Sequence, residues 1–195
     1  KKSLNLDLSF FGENHPEVAS GYYNIGYVYF AQGDYSKALE YFEEVLKIRL
    51  SVYGENHSRV ASVYNDIGEI YSVQGDDFKA LDYFKKSLKI VLSVYGENHS
   101  QVSSIYDHIG EVYFAQKDYS KALYYFEESL KIRLSLFGEN HPEVALSYYS
   151  IGSLYIIQGD KSKALNYYEK SLKIRLSVYG ENHPLTKEIM DLINV

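Results

Sequence analysis

Five histidines recur in this chain, His15, His57, His99, His141 and His183, each inside the tetrapeptide GENH and each 42 residues from the next. Imidazole is a common metal ligand and a general base near neutral pH, so a regular row of imidazoles raises metal and acid–base chemistry first. Zinc, however, needs three or four ligands around one point, and side chains one whole repeat apart line up in a row. The expectation is a capping or packing role for all five, and no metal site. A sixth histidine, His108, has no partner histidine in its own segment. The other chemistry-bearing residue types are no more concentrated. The chain has no cysteine, and hence no thiolate nucleophile, disulfide or sulfur-ligated metal. It also lacks a glycine-rich phosphate loop and a His-Glu-x-x-His helix. A catalytic centre would interrupt the repeat at one place, and the repeats stay uniform, so neither an enzyme nor a cofactor is expected.

Composition narrows the class further. Of the 195 residues, 46% are apolar or aromatic and 24% are charged, which places the chain among folded globular proteins and excludes intrinsic disorder. No apolar run approaches the roughly 20 residues needed to span a bilayer, and the lysine-led start lacks the apolar stretch of a secretory signal. A formal charge of −6 argues against a nucleic-acid partner. A soluble, cytoplasmic protein that binds neither membrane nor nucleic acid is therefore expected, and the absence of cysteine fits a reducing compartment. Asn56-His57-Ser58 and Asn98-His99-Ser100 match the glycosylation sequon, but the parallel loops read Asn-His-Pro, and the match is read as chance.

The elements that position these residues follow from periodicity. From Glu17, the apolar residues Val18, Tyr22, Ile25, Tyr29 and Phe30 fall at three- and four-residue steps, one stripe of a helix. Gly33-Asp34 interrupts it. Ala38, Leu39, Phe42, Val45, Leu46, Leu50 and Tyr53 then form one face of a longer helix, with Lys37, Glu40, Glu43, Glu44 and Lys47 opposite. Gly54 stands where a helix end favours a left-handed residue. Pro16 suits the first turn of the next helix, and Ser58 and Ser100 are expected to cap where they replace it. GENH is thus a corner, repeated because a helical hairpin is repeated. Glycine and alanine are expected to let helices approach closely while the large aromatics fill the space between one hairpin and the next.

Each first helix carries Tyr-x-x-Ile-Gly-x-x-Tyr, at Tyr22-Ile25-Gly26-Tyr29, Tyr64-Ile67-Gly68-Tyr71, Tyr106-Ile109-Gly110-Tyr113 and Tyr148-Ile151-Gly152-Tyr155. Ala38 and Phe42, Ala80 and Phe84, Ala122 and Phe126, and Ala164 and Tyr168 follow at a fixed distance. The pattern resembles the tetratricopeptide repeat, with tyrosine in place of its tryptophan and isoleucine in place of its leucine. The family's usual period is about 34 residues. The longer period here extends the second helix through Lys-Ile-Arg-Leu-Ser-Val-Tyr, and with GENHPEVA at Gly12 and Gly138 it resembles the kinesin light chain type of the repeat.

The resemblance covers the whole chain. It implies an all-α fold, a right-handed α-solenoid of antiparallel helix hairpins (a TPR superhelix). The expected boundaries are the end of a preceding second helix over 1–11, repeats over 12–53, 54–95, 96–137 and 138–179, and the start of a fifth over 180–195. A fragment of a longer array is expected from these ends. The resemblance further implies a non-catalytic protein–protein interaction scaffold whose first helices line a concave, peptide-binding groove. By position, that face consists of Tyr23, Tyr27 and Phe30, then Asn65 and Glu69, then Asp107, Glu111 and Phe114, then Tyr149, Ser153 and Ile156. Its acidic middle and apolar ends favour a protein or peptide partner with a basic centre and apolar anchors. The alternative is a structural spacer or self-associating array. In that reading, Leu4, Leu8 and Phe11 at one end and Ile189, Leu192 and Ile193 at the other are apolar faces of incomplete hairpins that stack end to end.

Overall fold

The computed structural model describes Phe10, Gly12 and residues 14–193. Among these residues the protein is helical, with no strand: α1 (Pro16–Ala31), α2 (Tyr35–Tyr53), α3 (Ser58–Val73), α4 (Asp77–Tyr95), α5 (Ser100–Ala115), α6 (Tyr119–Phe137), α7 (Pro142–Ile157), α8 (Lys161–Tyr179) and α9 (Pro184–Ile193). Two compact units result, residues 1–96 with α1–α4 and residues 97–195 with α5–α9. In each unit, shorter first helices of 16 residues pair with longer second helices of 19.

Local chemistry sets both corners. Every first helix ends in a Schellman motif: the Asp34, Asp76, Asp118 and Asp160 N–H groups donate back to the carbonyls of Tyr29, Tyr71, Tyr113 and Tyr155, at 2.9 Å in each case. The same aspartates cap the helices that follow, each accepting from the backbone N–H three residues on. One joint departs from the others. The turn glycine at positions 33, 75 and 159 is replaced by Lys117, at φ 62°, and a side chain in this region carries a steric penalty that glycine avoids. Lys117→Gly is expected to stabilise the protein by about 1 kcal/mol, read as a higher denaturant midpoint with an unchanged slope. A lower midpoint would show that the lysine side chain contributes more than its backbone costs.

The second corner differs from the expectation in two ways. Gly54, Gly96, Gly138 and Gly180 have φ of +75 to +80° but ψ within about 10° of 180°. They occupy an extended positive-φ region that is even more restricted to glycine than the left-handed helical one. Nor do Ser58 and Ser100 cap; both already lie in the helix. The cap is the preceding histidine: His15, His57, His99 and His141 accept through Nδ1 from the N–H two residues on, at 3.1–3.2 Å. The imidazoles of His57, His141 and His183 also stack on Tyr53, Phe137 and Tyr179, with centroids 4.3–4.6 Å apart.

The core forms where the two faces of a hairpin meet. In the first unit it is built on Val18, Ala38, Phe42, Val45, Ile67 and Ile70, all but removed from solvent. In the second unit Ala122, Phe126, Val144, Ile151, Leu154 and Tyr168 serve the same purpose. Burial of each such large side chain stabilises by about 2 kcal/mol. Aromatics such as Tyr23, Tyr71 and Tyr83 pack on the core shared by neighbouring hairpins, and others also pack within their own. The ring of Phe84 lies on Gly68 of its own hairpin, as Phe126 does on Gly110 and Tyr168 on Gly152. At the far end, Ile189 is not an exposed face residue: it is fully buried in the core of the second unit, and Leu192 beside it is 42% exposed. Leu4, Leu8 and Phe11 lie outside the described residues.

Candidate interaction surface

The sequence-selected positions 23, 65, 107 and 149 are equivalent in the repeat, and the structure gives three of them the same neighbour, an arginine from the second helix of their own hairpin. Arg49 lies over the ring of Tyr23 at 5.1 Å, and Arg175 over the ring of Tyr149 at 5.0 Å. Arg133 makes an ion pair with Asp107, Nη2 to Oδ2 at 2.7 Å. The second hairpin has Val91 where the other three have arginine and Asn65 opposite it, and the Asn65 amide donates instead to Glu69 Oε1 at 2.7 Å.

Each arginine also reaches into the following helix. Arg49 donates to the Arg59 carbonyl at 2.7 Å, and Arg175 to the Leu185 carbonyl at 2.6 Å. Arg133 bonds Ser147 Oγ at 2.7 Å and Glu143 Oε2 at 3.0 Å. These arginines escaped the sequence reading, although a signal existed. Arg49 follows Val45 by four residues and Leu46 by three, on the apolar stripe, where a charge must find a partner. Arg133 and Arg175 are each only 4% exposed.

The acidic middle of the face is thus two different environments. In the second unit, burial pushes the Asp107 carboxyl above the usual range, and the Arg133 charge opposes that rise. Asp107 is therefore committed to an internal ion pair, while Glu111 stands exposed. His108 is pushed down to about 4 by burial and the Arg133 charge, so it is neutral at pH 7. In the first unit the carboxyl of Asp66, absent from the sequence selection, accepts from the Tyr23 hydroxyl, and its Oδ2 has no hydrogen-bond partner. Burial raises Asp66 to about 6, opposed by Tyr23 and Arg49. Glu69 is raised to about 7, by burial first and the Asp66 charge second. Burial, then Asp66, likewise pushes the Tyr23 hydroxyl up.

A pH dependence follows. The folded chain holds protons on Asp66 and Glu69 that the unfolded chain, with ordinary carboxyl values of 3.8 and 4.5, releases earlier. Their stabilising contribution is complete below pH 4 and is lost as pH rises through about 6 and about 7. Glu69→Gln is expected to stabilise the chain at pH 8 by about 2 kcal/mol, allowing for solvent screening, and to flatten this slope. Denaturant titrations of both proteins at pH 5 and pH 8 test it, and identical slopes would contradict it.

The remaining selected residues divide between solvent and packing. Tyr27 is 54% exposed, and with Tyr23, Asn24, Val28 and Ala31 it lines an open cleft of about 590 Å3 in the first unit. Phe30 and Phe114 are half-buried against Tyr35 and Tyr119, each with centroids 5.9 Å apart. In the second unit Ser153 accepts from the Tyr168 hydroxyl at 3.1 Å, and Tyr149 donates to Glu188 at 2.9 Å. Ile156, 47% exposed, borders a cleft of about 400 Å3 with Leu165 and Leu192. Among the described residues there is no group of three or more His, Asp or Glu that could hold a metal ion, and no helix long and apolar enough to cross a membrane.

Hairpins of one design repeating every 42 residues, with variation concentrated on the first helices, define an all-α helical-repeat scaffold. The chain belongs to the tetratricopeptide repeat family, whose pattern it matches over residues 1–51, 17–92, 59–135 and 102–177. Repeats of this family are generally scaffolds that bind proteins or peptides. Among solved structures, the chain is similar to BtubC (BKLC) from P. vanneervenii, with 27% identity and a TM-score of 0.76 over 86% of this chain and 66% of that one. It is also similar in fold to a candidate kinesin light chain of Podosopora anserina with nearly identical TPR-like repeats, at 17% identity and a TM-score of 0.77 over 92% of this chain and 85% of that one. The apo form of RapI has the same fold, with 18% identity and a TM-score of 0.75 over 90% of this chain and 61% of that one. A comparison with curated proteins found no match.

Proposed function

We propose that the protein is a non-catalytic, cytoplasmic interaction scaffold that docks a peptide or partner domain on its first-helix faces, with basic residues opposite the carboxyls and apolar anchors beside them. The observation that carries this reading is the set of side chains these helices present to solvent inside an otherwise uniform frame. Tyr27 in the first unit and Ile156 in the second are large and about half exposed, and Glu111 is exposed in the second. Beside them, Tyr23 and Asn65 in the first unit are held by Arg49 and Glu69, and Asp107 and Tyr149 in the second by Arg133 and Arg175. Asp107 therefore drops out as a direct ligand, and the exposed Glu111, joined by Glu69 where pH above about 7 ionises it, selects a basic centre.

A random-peptide display selection tests this, with each enriched peptide re-tested on the Glu69→Lys, Glu111→Lys variant. Enrichment of peptides with central lysine or arginine that lose at least tenfold in affinity on the variant supports the proposal. No enrichment favours the spacer reading. That second reading has its own observation: Val28 is 55% exposed where its equivalent Ile70 is fully buried, leaving an apolar edge on α1. Sedimentation equilibrium of the unmodified chain, monomeric or associating with concentration, decides whether copies stack there.

A further inference from the structure

Every hairpin contains a column of tyrosines that starts on a lysine. In the first, the Lys37 ammonium lies 5.0 Å over Tyr29, Tyr29 stacks on Tyr41 at 5.6 Å, and Tyr41 meets Tyr22 at 6.0 Å. The third repeats this through Lys121, Tyr113, Tyr125 and Tyr106, at 4.9, 5.6 and 5.7 Å. The second and fourth add a second cation at the other end. Lys86 lies 4.7 Å over Tyr83 and 6.0 Å over Tyr64, held by Asp82 at 2.7 Å. Lys170 lies 5.2 Å over Tyr167 and 5.5 Å over Tyr148. An ammonium in that place is attracted by the negative ring faces.

In the first and third hairpins the position of Lys86 and Lys170 is taken by Glu44 and Glu128. Glu128, with Glu97, Tyr106 and Tyr124, borders a cleft of about 390 Å3. Two rings and two carboxylates thus border one space, and Tyr124 meets the adjoining Tyr125 ring edge to face at 5.2 Å. The cleft at Tyr22 and Tyr41, about 380 Å3, is lined by Glu40, Glu43 and Glu44. We propose that these clefts, that of Tyr106 and Tyr125 above all, bind the lysine ammonium of a basic partner segment.

The protein itself shows what fits: in its sister hairpins the same ring pair is covered by a lysine, and here a glutamate stands in that place, which reverses the charge and asks for the cation from outside. Lys47 approaches Glu44 only at 3.8 Å, is 74% exposed and does not line its cleft, whereas Lys131 stands at the border of the Glu128 cleft, 3.7 Å from that carboxylate and 76% exposed, with its ammonium largely in solvent. These clefts involve the second helices and lie outside the first-helix positions of the proposed peptide site, so either assignment can fail without the other.

The test is a titration of the tyrosine-labelled full chain with Nα-acetyl-lysine methylamide, followed by ring resonances, with the norleucine analogue at matched ionic strength as reference. The lysine compound is expected to move Tyr106, Tyr124 and Tyr125, with Tyr22 and Tyr41, in a saturable way, and to leave Tyr64, Tyr83, Tyr148 and Tyr167 in place. Glu128→Lys, which copies the second and fourth hairpins, is expected to weaken binding at Tyr106 and Tyr125 at least tenfold, whereas the charge-matched Glu181→Lys leaves it unchanged. Equal shifts at all ring pairs, an equal response to norleucine, or unaltered binding by Glu128→Lys would overturn the proposal. Shifts at Tyr106 and Tyr125 that follow protein concentration alone would assign the cleft to a lysine of a second copy and overturn the external partner.

Discussion

Replacing Arg133 by valine is expected to cost about 3–5 kcal/mol of unfolding free energy, because it leaves a buried carboxylate without its cation. The guanidinium is 4% exposed and bonds Asp107, Glu143 and Ser147 at once. Its removal leaves the Asp107 carboxyl, whose pKa burial already raises, without its cation. The loss should be greater at pH 8 than at pH 5, because without Arg133 the carboxyl takes up a proton more readily as pH falls. The second hairpin supplies the repair. There Val91 stands at the arginine position and Asn65 at the aspartate position, and Val91 is buried at 1% exposure. Arg133→Val combined with Asp107→Asn recreates that pair and is expected to recover all but about 1 kcal/mol. A double-mutant cycle in denaturant measures the coupling. If the double variant is as unstable as Arg133→Val alone, Glu143 and Ser147 and not Asp107 are the partners that matter.

Gly68→Ala is the second large effect. A Cβ there would stand 2.7 Å from the Phe84 ring, which is itself 1% exposed and held on every side. Overpacking of this kind costs about 1–3 kcal/mol, even though alanine is intrinsically the better helix former. Gly26 provides the comparison, because its Cβ would meet Phe42 and Tyr41 at 3.2 Å, a contact that a shift of a few tenths of an ångström relieves. Gly26→Ala should therefore stay within about 1 kcal/mol of the parent, the helix gain offsetting the mild crowding. Phe84→Leu placed on Gly68→Ala makes room for the methyl group and should restore part of the loss. Equal effects at Gly26 and Gly68 would show that backbone entropy, and not the ring, sets the cost.

What the sequence determined by itself were the parts governed by neighbours along the chain. The 42-residue period, the paired helices and their corners rest on apolar stripes three and four residues apart and on Gly, Asp and His at helix ends, all local interactions that a string of letters displays. Even there the atomic detail escaped: positive φ at Gly54 was legible, but its extended ψ and the transfer of capping from Ser58 to His57 depend on how the corner closes. The tertiary structure alone decided which charges act. Asp107 reads as a solvated groove carboxylate until Arg133, 26 positions later, is seen to reach it from the paired helix, and Glu69 reads as charged until burial beside Asp66 raises it to about 7. The same holds for the tyrosines. Their spacing announced packing, but only the stacking of Tyr113 on Tyr125 and the tilted contact of Tyr125 with Tyr106 show that Glu128 stands where Lys86 and Lys170 cover the equivalent rings. Periodicity assigns a residue to a face of its own helix. The partner that sets its charge and chemistry comes from another helix, and that pairing exists only once the hairpins have packed.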